Sequence, residues 1–348
     1  MHTIISDRPR KILMISPYRH SQRGNSITSM RLKTGLEKQG FMIDWITMEE
    51  SDVLPQLQQQ LDSGCYGLIH AFHALHWGRL LDQLPQIQQI PVLLTTTGTD
   101  LHFDLSGKDS PVLARSLFSA QKIVLFHQDF TTQIAVPFPS LAARLVVIPQ
   151  GIFFENVSRE TFLPLDFKQD DFIFLFPSGL RPVKNFELTL NALENIQPDY
   201  PQLKLVIIGA LIDPDYSRRM LQRIDALPWV TYMGEIPHAS VRELILHADV
   251  VVNSSHAEGQ PQGALEAMSL GLPCILSAVP GNLHIIEEGR EGFYVHDEKE
   301  FARAARIFMD HPRRTKMMGQ AARKLVEEKF SLEKELNAYA ALYQQLCQ

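Results

Sequence analysis

Two glutamates, Glu258 and Glu266, stand eight positions apart in the passage VVVNSSHAEGQPQGALEAMSLGLP, which begins at Val250. The apolar run that ends at Asn253 predicts a strand, and the Ser/Gly/Pro loop after it carries Glu258. A helix that begins near Gln262 would place Glu266 about one turn inside it. Two carboxylates are therefore expected on either side of a helix N-terminus.

The first turn of this helix is a candidate anion site. The amides of Gly263, Ala264 and Leu265 would have no intrahelical partner, and the helix dipole favours an anion there. The flanking glutamates repel a bare phosphate, but they accept hydrogen bonds from hydroxyl groups on either side of it. A phosphate flanked by hydroxyl-rich rings describes a nucleotide sugar. Taken alone, a carboxylate on a solvated helix face remains the alternative interpretation of Glu266.

A second passage, FIFLFPSGLRPVKNFELTL, also places polar groups between a strand and a helix. Arg181 and Lys184 follow a Ser-Gly turn, and Asn185 is expected to cap a helix that starts at Phe186. Two cations at a helix N-terminus conflict with the dipole, and an anion bound between them relieves that conflict. Arginine grips phosphate oxygens bidentately, whereas lysine acts as a point charge. A solvated pair of cations in a surface loop is the alternative.

The first strand, Lys11 to Ser16, is followed by PYRHSQRGNS and a helix expected from Ser26, with Ser26 as its N-cap. Gly24 in this turn permits close approach of the backbone to a ligand. Because the chain lacks G-x-G-x-x-G here, the turn is weak evidence for a dinucleotide site.

Histidines follow the third predicted strand at a spacing of three, since IHAFHALHWG carries His70, His73 and His76. This spacing suggests a metal site, but alternate side chains at a strand end point in opposite directions. Histidines that line an acceptor pocket or pack in the core are the favoured interpretation, with His73 as the pocket residue. Asp213 and Asp215 form a D-x-D pattern, and here a turn and an N-cap explain them better than a metal site.

Short β-branched runs alternate with longer segments of helical spacing, which is typical of parallel strands joined by crossover helices. We therefore predict an α/β protein with two Rossmann-like domains that face one another across a cleft. A linker is expected over 153–171. The domains are expected at 1–165 and 166–330, and a helix over 331–348 is expected to cross back to the first domain. The predicted strands are Lys11–Ser16, Met42–Thr47, Gly67–His70, Pro91–Thr96, Lys122–Phe126, Leu145–Ile148, Phe172–Pro177, Leu203–Ile208, Trp229–Tyr232, Val250–Asn253, Pro273–Ser277 and Gly292–Val295.

Composition excludes several classes of protein. The 348 residues are 45% hydrophobic and 21% charged, which is ordinary for a folded globular chain and unlike a disordered one. The net charge of −6 disfavours a general nucleic-acid binder. The three cysteines are far apart, which argues against a zinc or disulfide framework and for a reducing, cytoplasmic setting. No targeting segment is recognised, and membrane contact is expected to be at most peripheral, through a basic run over 313–316.

Glu258 to Glu266 has the E-x7-E form, and the surrounding residues resemble the signature of retaining glycosyltransferases of family 4, which have the GT-B fold. The similarity extends over nearly the whole chain. Within the family, GLRPVKN, GTDL and PGN are most similar to glycosyltransferase 1 domain-containing proteins and, more distantly, to bacterial selenosugar synthases. The further segments that carry the resemblance are RGNSITSMRL, RLVVIPQGI, YMGEIP and AVPGN, together with Gly259, Pro261, Ala267, Met268, Gly271 and Pro273.

The resemblance implies roles for individual residues. Lys184 would bind the donor diphosphate, Glu266 the ribose hydroxyls, and Glu258 the hydroxyls of the transferred sugar. Gly24 and Asn25 would approach the diphosphate from the first domain. The remaining residues implied in donor binding are Gly259, Gly263, Ala264 and Leu265 in the E-x7-E passage, and Ile236 in YMGEIP beside the nucleotide base.

The chain departs from the family pattern at two places. Gly179 occupies the usual arginine position, and Arg181 follows two residues later, so Arg181 would take the phosphate role only if the loop bends to compensate. Thr97 and Gly98 stand where His-Gly is usual, in the part expected to line the acceptor or sugar pocket with His73.

The resemblance therefore implies a retaining transferase that moves a sugar from a nucleotide-diphosphate sugar, expected to be a UDP-sugar, to an acceptor that the sequence does not identify. Fixed cationic groups would stabilise the departing diphosphate, and no metal or other cofactor is expected. Three alternatives stay open: a catalytically silent nucleotide-sugar-binding protein, a transferase that forms a selenosugar or thiosugar, and a sugar-nucleotide epimerase of the same fold.

Overall fold

The computed structural model describes residues 11–18, 24–49, 53–84, 87, 89–98, 100–101, 107–154 and 167–347, with only the backbone of 24, 25, 238 and 239. The chain forms two compact units. The first consists of Met1–Gln150 and Leu332–Gln348, and the second of Gly151–Ser331. The change of unit at Gly151 lies before the predicted boundary at 166, because Ile152 and Phe154 already pack on the core of the second unit.

The first unit contains a six-stranded sheet whose strands all pair in parallel, in the order β2-β1-β3-β4-β5-β6. Its strands are β1 Lys11–Ser16, β2 Ile43–Thr47, β3 Tyr66–Phe72, β4 Val92–Thr95, β5 Lys122–Leu125 and β6 Leu145–Val147. Its described helices before the second unit are α1 Gly24–Lys38, α2 Val53–Asp62, α3 Ala74–Leu81, α4 Ser110–Ser119 and α5 Asp129–Ala135.

Both faces of this sheet are buried, which explains why β1 reads as an unbroken apolar run. Leu13 and Ile15 belong to the core on one face, where α3 packs. Ile12 and Met14 alternate with them and belong to the core on the other face, which also contains residues of α12, the helix Leu332–Leu346.

The last helix, α12, returns to the first unit, as the sequence predicted. Arg31 of α1 donates two hydrogen bonds to Glu335, at 2.8 and 3.0 Å. The Tyr343 hydroxyl lies 2.6 Å from His70 Nδ1, and His70 Nε2 lies 2.8 Å from Thr95 Oγ1. Thr95 Oγ1 is also 3.1 Å from the Tyr339 hydroxyl. We call this group the tether cluster; its members are Arg31, His70, Thr95, Glu335, Tyr339 and Tyr343.

The second unit repeats the architecture with the strand order β12-β11-β10-β7-β8-β9, again parallel throughout. Its strands are β7 Phe172–Pro177, β8 Leu203–Ile208, β9 Val230–Tyr232, β10 Val250–Asn253, β11 Cys274–Ser277 and β12 Gly292–Val295. Its helices are α6 Phe186–Glu194, α7 Pro214–Asp225, α8 His238–Ile245, α9 Gln262–Ser269, α10 Glu298–Asp310 and α11 Pro312–Lys329.

The predicted strands all appear, most within one residue of their expected ends. The start of α1 differs, because the helix begins at Gly24 and Ser26 lies inside it, so the prediction of Ser26 as N-cap was wrong. Part of the predicted linker, 155–166, lies outside the described residues. Within the described part of the chain, no helix has the length and apolar character needed to cross a membrane.

Candidate active site

The two loops singled out by the sequence lie together in the second unit. β7 and β10 pair directly, with Val250 opposite Phe174, so their carboxyl ends meet at the same edge of the sheet. The amide of His256 donates to the carbonyl of Val183 at 2.8 Å. The hydroxyl of Ser254 lies 2.8 Å from the carbonyl of Asn185. The loop after β10 is thus hydrogen-bonded along the loop after β7.

Lys184 and Glu258 form a buried ion pair between these loops. The Lys184 ammonium donates to Glu258 Oε1, and the two side chains are only 11% and 8% exposed. Asn253 Nδ2 and Ser255 Oγ donate to the same oxygen, at 2.8 and 2.7 Å. Glu258 Oε2 accepts no hydrogen bond from any residue that the structure describes. One carboxylate oxygen is therefore saturated, and the other remains able to accept.

The ionisation of this pair follows from its surroundings. Burial acts to raise the pKa of Glu258, but the charge of Lys184 and the hydrogen bonds to Oε1 outweigh it and hold the pKa below its usual value. Burial lowers the pKa of Lys184, the charge of Glu258 opposes that shift, and the nearby charge of Arg181 adds to it. Glu258 is therefore a carboxylate at neutral pH, paired with a cation.

A second layer of amides lies behind Glu258. Asn253 Oδ1 accepts from the amide of Ser255 and from Asn282 Nδ2, each at 3.2 Å. Asn282 Nδ2 also donates to the carbonyl and hydroxyl of Ser277, at 3.0 and 3.1 Å. We call Lys184, Asn253, Ser255, Glu258 and Asn282 the carboxylate cluster.

Gly281 closes this cluster from the loop after β11. Its φ is +87°, in the left-handed region that favours glycine, and a Cβ there would lie 2.1 Å from the backbone carbonyl oxygen of Glu258. Asn253, Ser255 and Asn282 were not assigned roles from the sequence, although the P-G-N turn had marked this loop as part of the family resemblance. The P-G-N turn was the sequence signal for these residues, because its glycine, Gly281, packs against the loop that carries Glu258.

Helix α9 begins at Gln262 and places Glu266 one turn inside it, as predicted, with the side chain buried. The three first-turn amides are not equivalent, because the amide of Leu265 donates to the carbonyl of Pro261 at 3.0 Å. The expectation of a free Leu265 donor was therefore wrong. The amides of Gly263 and Ala264 donate no hydrogen bond within the described residues.

The second unit also places the remaining predicted donor residues. Gly263 packs its backbone against β7, since a Cβ there would lie 2.8 Å from the carbonyl oxygen of Pro177. Gly259 is buried in the loop after β10, next to Glu258. Ile236 is half-buried and packs on a core cluster of this unit. Of the predicted residues in the first unit, Gly24 and Asn25 form the start of α1, and only their backbone is described.

The loop after β7 differs from expectation at its helix cap. Asn185 occupies the N-cap position with φ +49°, but its side chain makes no capping hydrogen bond. The first amide of α6, that of Phe186, instead donates to the Tyr216 hydroxyl at 3.1 Å. Arg181 precedes a short 3₁₀ helix, Pro182–Lys184, and its charge acts on Lys184.

Gly179 has a close neighbour where a side chain would stand. A Cβ at this position would lie 2.6 Å from Ile212 Cδ1 and 3.0 Å from the carbonyl oxygen of Ala210. The loop therefore leaves no room for a larger residue at 179 unless the side chain of Ile212 moves. This packing agrees with the absence of the family's usual arginine and leaves Arg181 and Lys184 as the cations of this loop.

In the first unit, His73 and Thr97 come together around Asp100, a residue that the sequence analysis did not single out beyond the motif GTDL. The buried Asp100 carboxylate accepts from the amides of Ala74 at 2.7 Å and Thr97 at 3.0 Å. His73 has a left-handed backbone, φ 67°, and its Nδ1 lies 3.9 Å from Asp100 Oδ2. Gly98 follows Thr97 with φ 89°. Two of the predicted pocket residues, His73 and Thr97, therefore lie beside one buried carboxylate.

The three histidines do not act together. His76 packs edge-on against His73, with ring centroids 4.6 Å apart, and burial lowers its pKa to about 4. His70 belongs to the tether cluster, where burial lowers its pKa to about 3. Among the described residues, no three histidine, cysteine or acidic side chains are grouped so as to hold a metal ion.

Asp213 caps α7 by accepting from the amide of Tyr216 at 2.8 Å, as predicted.

Comparison with known proteins connects this geometry to a family. The family model described as "Glycosyl transferases group 1" matches residues 158–325. The matched residues lie within the second unit. The chain is 26% identical to "Glycosyltransferase 1 domain-containing protein 1" of Xenopus tropicalis over 343 residues, which cover 95% of this chain and 97% of the relative.

Solved structures of glycosyltransferases share the fold. Sucrose-phosphate synthase from Thermosynechococcus elongatus matches with a TM-score of 0.77 at 20% identity, covering 97% of this chain and 99% of that one. Anabaena Alr3699/HepE in complex with UDP-glucose matches with a TM-score of 0.76 at 19% identity, covering 97% of this chain and 100% of that one. The fold is GT-B, which confirms the fold that the resemblance to family 4 glycosyltransferases implied.

Proposed function

We propose that the protein is a retaining glycosyltransferase that moves a sugar from a nucleotide-diphosphate sugar, a UDP-sugar in the first instance, to an acceptor. One observation carries this proposal. In the second unit, a buried carboxylate has one oxygen saturated by Lys184, Asn253 and Ser255 while the other accepts nothing from the described residues. Oε2 is not among the buried unpaired side-chain atoms of the described residues, so it is open to solvent and to the hydroxyl groups of a ligand.

The surrounding groups fit the parts of such a donor. The ammonium of Lys184 and the guanidinium of Arg181 supply positive charge where a leaving diphosphate gains negative charge. The amides of Gly263 and Ala264, at the start of α9, add donors at the positive end of a helix dipole. Oε2 of Glu258 would accept from hydroxyls of the transferred sugar, and Glu266 from those of the ribose. Relatives of this fold have been solved with UDP and with UDP-glucose, which supports a UDP-sugar as the first donor to test.

The first unit supplies the proposed acceptor or sugar pocket. His73 carries a strained left-handed backbone, and such strain in a non-glycine residue is often found at functional sites. Thr97 and Gly98 form the neighbouring turn around Asp100. We propose that these residues contact the acceptor or the transferred sugar, and that Gly24 and Asn25 approach the diphosphate.

Retention of configuration by front-face attack belongs to this proposal. The bond between the anomeric carbon and the diphosphate oxygen breaks, the diphosphate leaves with the electron pair, and its oxygen takes the acceptor proton as the new glycosidic bond forms. Glu258 orients the donor and supports the positive charge at the sugar ring. No metal is included, because Lys184 and Arg181 provide the stabilising charge; activity that a chelator abolishes and manganese restores would contradict this part.

Donor screening tests the proposal. The thermal midpoint of the protein is measured with UDP-, GDP- and ADP-sugars, and the release of UDP from UDP-glucose is followed separately. Because a ligand that binds only the folded state raises apparent stability, we expect a rise of the midpoint with the preferred donor and slow release of its nucleotide. A protein that neither binds nor hydrolyses any of these donors would contradict the proposal.

A nucleotide-sugar-binding protein without catalysis is the second candidate. Gly179 stands where glycosyltransferases of family 4 usually have an arginine, and Ile212 packs against it. One cation that would contact the phosphate is therefore missing, which favours this second candidate. The same screen separates the two functions: binding of a donor without release of its nucleotide, in the presence or absence of added acceptors, would support the silent protein.

A further inference from the structure

Asn282 has an unusual hydrogen-bonding pattern for a fully buried amide. Its Nδ2 has three acceptors within reach, Asn253 Oδ1 at 3.2 Å and the carbonyl and hydroxyl oxygens of Ser277 at 3.0 and 3.1 Å. Its own Oδ1 is buried and has no hydrogen-bond partner, although its side chain is 0% exposed. A buried acceptor without a partner costs stability. The hydrogen bonds that Nδ2 donates therefore account for the orientation of this amide.

Asn282 and the amide of Ser255 together set the orientation of the Asn253 side chain. Asn253 Oδ1 accepts from Asn282 Nδ2 and from the amide of Ser255, so its Nδ2 must face the other way. That direction leads to Glu258 Oε1, at 2.8 Å. If the Asn253 amide turned over, its oxygen would face a carboxylate oxygen, and both groups would be acceptors.

We propose that Asn282 is a positioning residue for sugar transfer: through the side-chain amide of Asn253, it keeps one oxygen of Glu258 occupied and the other directed to the donor sugar. This inference rests on the proposed function of Glu258 as the group that holds the transferred sugar. Asn282 does not itself contact the donor, since its side chain is fully buried behind Asn253.

Loss of the hydrogen bond from Asn282 to Asn253 would change the electrostatic surroundings of Glu258. Among the described residues, the charged group that hydrogen-bonds to Glu258 is Lys184, at Oε1, and Arg181 acts on Lys184 in turn. The residues that contact Glu258 from its other sides, Asn253, Ser255 and Gly281, are uncharged. Without the hydrogen bond from Asn282, only the amide of Ser255 holds Asn253 in this orientation, so Asn253 samples the reversed orientation more often. Glu258 is then left more often without a donor that holds its pKa down.

The test compares Asn282→Ala with the unaltered protein, using UDP-glucose as the donor probe and UDP as the ligand for binding. We expect kcat/KM for release of UDP from UDP-glucose to fall about tenfold, the size expected for one hydrogen bond to a charged group. Affinity for UDP, measured by calorimetry, should stay within about twofold, because the diphosphate groups are untouched. The acid limb of the pH profile should move to higher pH.

Thr315→Val is the matched control. Thr315 is a buried polar residue of the same unit, and its hydroxyl donates to the carbonyl of Phe308 at 2.8 Å, away from the carboxylate cluster. The control should lower the thermal midpoint and leave both kcat/KM and the pH profile unchanged. A purely structural role of Asn282 would give the same result as this control.

Each outcome decides the proposal. Unchanged turnover in Asn282→Ala, or a loss of UDP affinity as large as the loss of turnover, overturns it. If Asn282→Ala does not fold, Asn282→Ser is measured in the same way, and failure of both variants to fold shows a role in core stability and also overturns it. If the unaltered protein neither binds nor hydrolyses UDP-glucose or another nucleotide sugar, the proposed function is wrong. If the unaltered protein is active and Asn282→Ala is equally active, the proposed function stands and only the role of Asn282 is wrong.

Discussion

The two units each contain a buried polar cluster, and the two clusters differ in how completely their atoms are paired. In the tether cluster, both nitrogens of His70 have partners and both oxygens of Glu335 accept from Arg31. In the carboxylate cluster, three donors share one oxygen of Glu258, and the oxygen of the Asn282 amide has none. A saturated cluster holds elements together, whereas an incompletely paired one retains capacity for a ligand.

The sharpest way to break this comparison is to remove Lys184. We expect Lys184→Ala to lower the rate of UDP release from UDP-glucose by about a thousandfold, because a cation on the leaving diphosphate is lost. The variant should also be less stable by about 3–5 kcal/mol, since Glu258 stays buried without its counter-ion. Kinetic assays and chemical denaturation measure the two effects.

The double variant Lys184→Met/Glu258→Gln separates these effects. It removes both charges, so stability should recover while activity stays lost. Retention of normal turnover and UDP affinity in Lys184→Ala would contradict the assignment of the second unit's cluster to the donor.

The opposite result is expected in the tether cluster. Glu335→Ala leaves Arg31 buried without a counter-ion and should lower stability by about 3–5 kcal/mol. UDP affinity, measured well below the thermal midpoint, should not change, because this pair lies wholly in the first unit. Glu333→Ala, at an exposed position of the same helix, is the control and should be nearly neutral. A loss of UDP affinity in Glu335→Ala would erase the distinction between the clusters.

Two glycines sharpen the comparison at the backbone. Gly281→Ala places a Cβ against the carbonyl of Glu258 in a left-handed conformation, and should lower stability by about 3 kcal/mol and impair donor turnover. Gly64 has φ +64° and open space around it, so Gly64→Ala should cost only about 1 kcal/mol, with turnover unchanged. Equal effects of the two substitutions on turnover would show that the contact between Gly281 and the backbone of Glu258 does not affect turnover.

The last prediction concerns the pH dependence of stability. Burial lowers the pKa of His70 to about 3 and that of His76 to about 4, from an ordinary value of 6.5. The unfolded chain therefore takes up protons first, and stability falls as the pH drops below about 6.5, by roughly 1.4 kcal/mol per pH unit for His70 and by less for the more exposed His76. Denaturation between pH 7 and pH 5 measures this slope, and His70→Gln should reduce it. A flat dependence would contradict the buried, neutral state of these rings.

Much of the fold was predictable because buried parallel strands have a strong local signal. The strands β1, β7, β8, β10 and β12 have the predicted ends, since each is an apolar run bounded by polar or turn residues. The helix α12 was predicted within 331–348, together with its return to the first unit. Its partners Arg31 and His70 were not, because a pairing over some 300 positions leaves no local pattern.

The candidate site was predictable only in part. Lys184 and Glu258 were both singled out, but their direct ion pair was not, because the loops that carry them are brought together by the pairing of β7 with β10. Asn253, Asn282 and Asp100 were missed as individual residues, since an asparagine or aspartate in a turn is explained well enough by the turn itself. Caps were the least reliable feature: Ser26 and Asn185 have the right residue type, but Ser26 lies inside its helix and Asn185 makes no side-chain capping bond.

A crystal structure of the protein with UDP-glucose tests the central claim most directly. We predict that the diphosphate lies within hydrogen-bond distance of Lys184 Nζ, and that a hydroxyl of the glucose donates to Oε2 of Glu258 while Oε1 keeps its bonds to Asn253 and Ser255. A nucleotide sugar bound elsewhere on the protein, with Lys184 and Glu258 still paired only to each other and to the residues around them, would contradict the account.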